Sequence, residues 1–318
     1  MRRLLTSTAA VVAASLLTAA IGPFARLSAA HQSPVFRAVT EAVTVDAFAH
    51  LDGQPLVGFG AADFIVRDNG VEQRIDAMGT TDSAHVIIGL DLSGSVDGEV
   101  VQQLRNGVRA VTSQLTTRDR LSLFTFADQL RVLARAAVPD ASLDQTLEQM
   151  AATGSTPLHD AVVLGSTLAR TNDRPAVFLL FTDGEDTASW TTATRARDVL
   201  RRTDVVVYPV GAGLPASRAT PPTTPYFEHP TWTAPTDGDT VRLLQVLAEA
   251  SGGEFLRVRR DARLADTFAA ILSQYRQRYL LSFTPTGVGH RGWHRLEVRL
   301  RNRPGAVVAR EGYMARSQ

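Results

Sequence analysis

Four apolar runs constrain this chain more than any other feature: 86–90 (VIIGL), 121–126 (LSLFTF), 177–181 (VFLLF) and 205–210 (VVVYPV). They are close to continuous rather than alternating with polar residues, as strands covered on both faces must be. Between the first two, Val100, Leu104, Val108, Val111 and Leu115 recur at helical spacing and mark one face of an amphipathic helix. Leu158, Val162, Leu164 and Leu168 repeat the pattern after Thr156. Buried strands alternating with amphipathic helices predict an α/β fold, a doubly wound and mostly parallel sheet. Its ligand crevice should lie outside the carboxyl ends of the strands.

The flanks of this α/β stretch, 84–275, have a different texture. Residues 35–80 read as a small β module, with AVTVDAFAHL running into Asp52-Gly53 and DFIVRDNGVEQRI carrying Asn69-Gly70 between apolar stretches. Asn-Gly and Asp-Gly between strand-like runs are hairpin signals. Residues 276–318 return to strands in YLLSF, WHRLEVRL and AVVAREGY, a hairpin-like extension expected to pack against the early module. Inside the α/β stretch, 212–240 carries prolines at 215, 221, 222, 225, 230 and 235 without an apolar period, so a long loop is expected. It leaves the same sheet edge as the crevice and should border it and shape the choice of partner.

Composition narrows the chemistry. All 33 basic residues are arginine, which excludes lysine-based phosphate loops, Schiff bases and serine–lysine dyads. With 32 acidic residues against them there is no basic surplus for nucleic acid. The absence of cysteine removes disulfides, thiol nucleophiles and zinc–thiolate sites. At the start, Arg2 and Arg3 precede an uncharged stretch that lasts until Arg26, and Ser28 and Ala30 offer a small-residue cleavage site after Ala30. That is the layout of a Sec signal peptide over 1–30, and it predicts a periplasmic or secreted protein. Left uncleaved, the same stretch is long enough to anchor in a bilayer. Cleavage leaves 30 arginines against 32 acids.

Three strand ends carry the chemistry. Asp91-x-Ser93-x-Ser95 follows the run 86–90, Thr156 opens the second helix in GSTPLHDAV, and Asp183 follows the run 177–181 in FLLFTDGED. In a doubly wound sheet all three come to the carboxyl edge. Hydroxyls and carboxylates without histidine or cysteine form a hard-oxygen site suited to Mg²⁺, with Mn²⁺ and Ca²⁺ as alternatives. Neutral hydroxyls leave a bound cation with excess positive charge, which an outside carboxylate can meet.

The segments DLSGS, GSTPLHDAV and LLFTDGED together resemble the metal-ion-dependent adhesion site of von Willebrand factor A domains, over about 84–275. The resemblance implies that Ser93, Ser95 and Thr156 ligate the metal, while Asp91 and Asp183 act directly or through water. It also implies a non-enzymatic protein-binding module whose partner presents an Asp or Glu. The flanks, PLVGFGAADFIVRDNGVEQRI and YLLSFTP…GWHRLEVRL…AREGY, resemble exported bacterial proteins with VWFA-related acidobacterial-type domains.

Plainer alternatives exist for each feature. Asp91, Ser93 and Ser95 by themselves could only cap the next helix. Glu185 and Asp186 read as solvated loop charges, the adjacent His159 and Asp160 point in different directions and make no catalytic pair, and Trp293, Tyr279 and Tyr313 read as packing residues. At the level of function the alternatives are a scaffold of an envelope assembly with a purely stabilising metal and, remotely, a hydrolase. Against the hydrolase stand Ser93, where a phosphotransferase needs a second acid, and the lack of a G-x-S-x-G turn. No oligomeric state follows from the sequence.

Overall fold

The computed structural model describes residues 42–315 apart from 97, 141, 213, 215–239 and 260–262. The expected signal segment 1–30 and nearly all of the Pro-rich stretch 212–240 lie outside the described residues. The described chain opens with five strands, β1 (Val43–Leu51), β2 (Gln54–Pro55), β3 (Phe64–Asp68), β4 (Val71–Gln73) and β5 (Ile75–Thr80). The α/β part follows as β6 (His85–Asp91), α1 (Gly98–Thr112), β7 (Arg120–Phe126), β8 (Leu130–Ala137), α2 (Ser142–Glu148), α3 (Leu158–Leu168), β9 (Ala176–Thr182), α4 (Ala193–Leu200), β10 (Val206–Ala212), α5 (Thr240–Ser251), β11 (Leu256–Val258) and α6 (Leu264–Tyr275). Four strands close it, β12 (Tyr279–Phe283), β13 (Gly292–Leu300), β14 (Ala306–Ala309) and β15 (Gly312–Ala315).

The central sheet has six strands in the order β11-β10-β9-β6-β7-β8, parallel except for β8, which runs antiparallel to β7 at one edge. The four apolar runs became β6, β7, β9 and β10, and every residue of β6, β9 and β10 is buried. Successive side chains of β6 serve opposite cores. Val86, Ile88 and Leu90 face α1 and α6, whereas Ile87 faces α3, α4 and α5. Gly89 shares the second face because Phe124 fills its space, its ring lying 2.5 Å from where a Cβ would sit. On α1 the expected stripe of Val100, Leu104, Val108 and Val111 is buried, but the helix ends at Thr112. Leu115 reaches the same core from the following turn.

Strands β8 and β11 had no sequence signature. At the sheet edge no residue of β8 is buried and Leu130 and Val132 are open to solvent, so burial could not shape its sequence into an apolar run.

The flanking strands do more than pack together. One sheet runs β14-β1-β12-β5, with β2 on β1, and another runs β15-β13-β3-β4. Strands from both ends of the chain thus share each sheet, alternating in the first, and Val45, Ala47, Phe64, Val66, Leu281, Phe283, Leu296 and Val298 form one core between them. The two hairpin signals act as turns, with positive φ at Asp52 and Gly53 and at Asn69 and Gly70. The C-terminal extension is not a simple hairpin, because β14 pairs with β1 while β13 pairs with β3 and β15.

Arginines join these sheets to the α/β part. Arg278, 1% exposed, forms an ion pair with Asp46 of β1. It also donates to the carbonyls of Gly252 (2.8 Å), Asp46 (3.2 Å) and Val308 (3.2 Å) and to the Tyr208 hydroxyl (3.3 Å). One guanidinium therefore holds β1, β10, β14 and the turn after α5. Arg310 pairs with Asp204 and donates to the Thr44 carbonyl (2.8 Å), and Arg201 lies over the Trp293 ring at 4.5 Å. Removing one partner of a buried pair leaves the other charge uncompensated, so Arg278→Met should cost about 3–5 kcal/mol in denaturant unfolding.

At the base of β6, His85 is fully buried. The Asn172 amide donates to its Nδ1 (2.9 Å), which leaves Nε2–H to donate to Ser122 Oγ (2.8 Å). Burial, with a smaller contribution from the Arg174 charge, lowers its pKa to about 4. Below its ordinary pKa of about 6.5 the unfolded chain takes up a proton that the folded chain refuses, so the His85 contribution to folding weakens as pH falls from 6.5 towards 4. Read by denaturant unfolding as the stability difference between wild type and His85→Gln, which sets aside other titrating groups, that contribution should fall by about 3 kcal/mol over the range.

Candidate metal-binding site

The parallel register of β6 and β9 pairs Leu90 with Phe181, so the next residues on each strand, Asp91 and Thr182, emerge side by side at the carboxyl edge. Thr182 donates its hydroxyl to Asp91 Oδ2 (2.7 Å), and the Ser93 backbone N–H donates to Asp91 Oδ1 (2.9 Å). Both oxygens of this buried carboxylate are therefore engaged by the protein. Burial pushes the Asp91 pKa up to about 6; the Thr182 and Ser93 hydrogen bonds oppose the shift, and the Asp183 charge adds to it.

Ser93 Oγ and Ser95 Oγ lie 3.1 Å apart, and Ser95 donates to Asp183 Oδ1 (2.8 Å). Ser93 and Asp183 are buried while Ser95 is exposed, so the cluster opens to solvent on the Ser95 side. Thr156 joins from the loop before α3. That loop is tied to the first one by Thr153 N–H to the Leu92 carbonyl (2.8 Å) and Gly94 N–H to the Gly154 carbonyl (2.9 Å). A Cβ built on Gly184 would sit 3.8 Å from both Ser95 Oγ and Thr156 Oγ1. Glycine there keeps an open cradle between two hydroxyls. The five residues expected from sequence thus meet at one edge: Ser93, Ser95 and Asp183 in direct contact, Thr156 across Gly184, and Asp91 behind them.

This donor set fits a hard divalent cation. Among the described residues, no three histidines, cysteines, aspartates or glutamates converge on one point, so hydroxyl oxygens set the character of the cluster.

Several supporting residues escaped the sequence reading. Thr182 holds Asp91, and its only signal was its position between a buried strand and Asp183. Asp128, after β7, accepts from Ser155 N–H (3.0 Å) and Ser155 Oγ (2.9 Å), bracing the residue before Thr156. It also lines a cleft of about 340 Å³ beside the site, with Leu92, Arg131, Met150 and Thr153. Thr156 and Thr187 exchange two bonds, Thr156 N–H to Thr187 Oγ1 (2.8 Å) and Thr187 N–H to the Thr156 carbonyl (2.9 Å).

Asp186 differs from expectation. Its side chain is 12% exposed and accepts from the His159 N–H (3.2 Å) and the Ser189 hydroxyl. Helix α3 starts after Pro157 with no side-chain cap of its own, so the loop supplies the acceptors that its first N–H groups need. Glu185 is exposed, as expected. His159 is buried and donates from Nδ1 to the Thr191 carbonyl (3.0 Å), while Asp160 accepts from the Trp190 and Thr191 N–H groups. The two side chains have separate partners. Tyr279 and Tyr313 are buried packing residues, and Trp293 is partly covered by Arg201.

A doubly wound, mostly parallel sheet with helices on both faces makes this an α/β domain. The chain belongs to the von Willebrand factor type A domain family, whose model matches residues 85–256. Solved structures similar to it include an aerotolerance-related membrane protein from Bacteroides fragilis, 17% identical over 60% of this chain and 98% of that one, with a TM-score of 0.45. A von Willebrand factor type A protein from Catenulispora acidiphila is 14% identical over 80% of this chain and 73% of that one, with a TM-score of 0.49. Proximal thread matrix protein 1 from the mussel byssus, in a form described as having a zinc-occupied MIDAS motif, is 14% identical over 65% and 49%, with a TM-score of 0.47. No curated protein sequence matches the chain.

Replacing Thr182 by the isosteric valine would leave Asp91 Oδ2 buried without its donor. Thr182→Val should therefore destabilise the protein by about 1–3 kcal/mol, measured by chemical denaturation in the absence of divalent cations.

Proposed function

We propose that the protein is an exported adhesion or assembly module that binds a partner protein through a divalent cation, Mg²⁺ in the first instance. The observation that carries this reading is the convergence of Ser93 Oγ, Ser95 Oγ and Asp183 Oδ1, with Thr156 Oγ1 across the Gly184 cradle. Ser93, Ser95 and Thr156 hold the cation. Asp183 hydrogen-bonds Ser95 and contributes negative charge, and Asp91, with both oxygens engaged by Thr182 and Ser93, acts at one remove. When bound, the cation supplies a coordination position for an Asp or Glu of the partner. Hydroxyls suit that task because they add no charge that would compete with the incoming carboxylate.

Export rests on the signal-like layout of residues 1–30. Among the described residues no helix is long and apolar enough to cross a membrane. Ser93 and Ser95 are bonded to each other, and Ser95 to the Asp183 carboxylate.

Thermal unfolding of residues 31–318 with Mg²⁺ and with EDTA tests the reading, with Mn²⁺ and Ca²⁺ in parallel. At 100-fold excess over its dissociation constant the cation should add about 2.7 kcal/mol of stability. Asp183→Ala should abolish that rise while the protein still folds. A wild-type midpoint indifferent to every cation would reduce the cluster to helix caps. Unfolding of the whole protein in EDTA would instead favour a purely stabilising metal.

A further inference from the structure

Among the described residues Trp190 is the most exposed large apolar side chain, at 98%. Its backbone, by contrast, is tightly held. Trp190 N–H and Thr191 N–H donate to the two oxygens of Asp160 (2.9 and 3.0 Å), and Asp160 N–H donates in turn to Ser189 Oγ (3.2 Å). Ser189 donates to Asp186, which accepts from the first turn of α3, and Thr187 is locked to Thr156 by two bonds. The loop 184–192 is thus fastened to the segment that supplies the Thr156 hydroxyl. It projects an indole that takes no part in the fastening. A rigid aromatic side chain beside a binding centre loses little entropy on contact, and tryptophan is over-represented among the residues that dominate interfaces.

The surroundings narrow what such an indole would receive. From Asp183 to Thr192 the chain has three acids, Asp183, Glu185 and Asp186, and no basic residue, and Asp160 stands against the Trp190 backbone. The first arginine is Arg195, on α4. An indole face among acids attracts a cation both through its quadrupole and through the local charge. The chain already uses this chemistry internally, with the Arg201 guanidinium 4.5 Å above Trp293. On the reading of the metal site given above, we infer that Trp190 is the second anchor of the partner interface. It receives an arginine or lysine of the same protein segment whose Asp or Glu completes the metal site. The partner surface is therefore zwitterionic, an acid with a basic residue set close by.

A random twelve-residue peptide library displayed on phage, panned on the full chain in Mg²⁺ and eluted with EDTA, tests this. The eluted clones should be enriched in peptides carrying both an acid and an Arg or Lys. Their affinity should fall about tenfold on Trp190→Ala. The Mg²⁺-dependent rise in melting temperature should survive in that variant, because its backbone bonds and the metal residues are untouched. Clones that bind Trp190→Ala as tightly as the wild type would overturn the proposal, as would enrichment in apolar residues without a basic one. An empty EDTA eluate would also overturn it. The Mg²⁺ response of the same protein then tells whether the metal reading fails as well.

Discussion

Pairing between β6 and β9 is the constraint from which the rest of the site follows. Six residues of each strand are in parallel register, from His85 opposite Ala176 to Leu90 opposite Phe181, and both strands are buried throughout. A slip of one residue would turn each apolar side chain toward the wrong core, so the register is strongly specified. The same register brings Thr182 to Asp91, and Asp183 follows one residue later to meet Ser95. Packing in the middle of the sheet thereby sets hydrogen-bond geometry at its edge. With both faces covered by helices, the strand ends are the natural position for this chemistry.

A second constraint joins the α/β part to the outer strands. A chain without lysine makes its buried cationic contacts through arginine, whose planar fork can serve several acceptors at once. Arg278 uses that property fully, with one carboxylate, three carbonyls and a hydroxyl around it. The carbonyls belong to β1, to β14 and to the turn at Gly252, segments distant in sequence. Apolar contacts could hold these pieces together but would specify their relative positions less sharply than directed hydrogen bonds do.

How much of this was legible beforehand depended on burial. The runs at 86–90, 177–181 and 205–210 stood out because strands buried on both faces exclude polar residues, and the stripe on α1 stood out because only one of its faces is buried. The five oxygen-bearing residues were legible because each directly follows or precedes such an element. Exposed β8 and the three-residue β11 left no comparable trace. The interleaving of the terminal strands was hidden for another reason: alternation indicates that one face of a strand is buried but does not identify its neighbour. Asp186 was misjudged because a cap that reaches across from a loop has no fixed spacing from the helix it serves. Arg278 looks in sequence like any other arginine, and its burial is decided entirely by tertiary structure.

The arrangement of the two carboxylates bears on why such a site should look outward. If Asp91 and Asp183 both bound a divalent cation directly, they would neutralise it and leave little attraction for a third acid. Asp91 has one oxygen held by Thr182 and the other by the Ser93 backbone, so in the proposed function it acts at one remove. Asp183 is bridged by Ser95, a side chain exposed to solvent. The acids around the rim follow the same logic. Asp128, Asp160 and Asp186 accept from backbone N–H groups of the loops that shape the site, which softens their repulsion of an approaching carboxylate. Negative charge is thus used to brace the loops, while neutral hydroxyls face the cradle. In the proposed function, an outside carboxylate is the counter-charge for a cation held there.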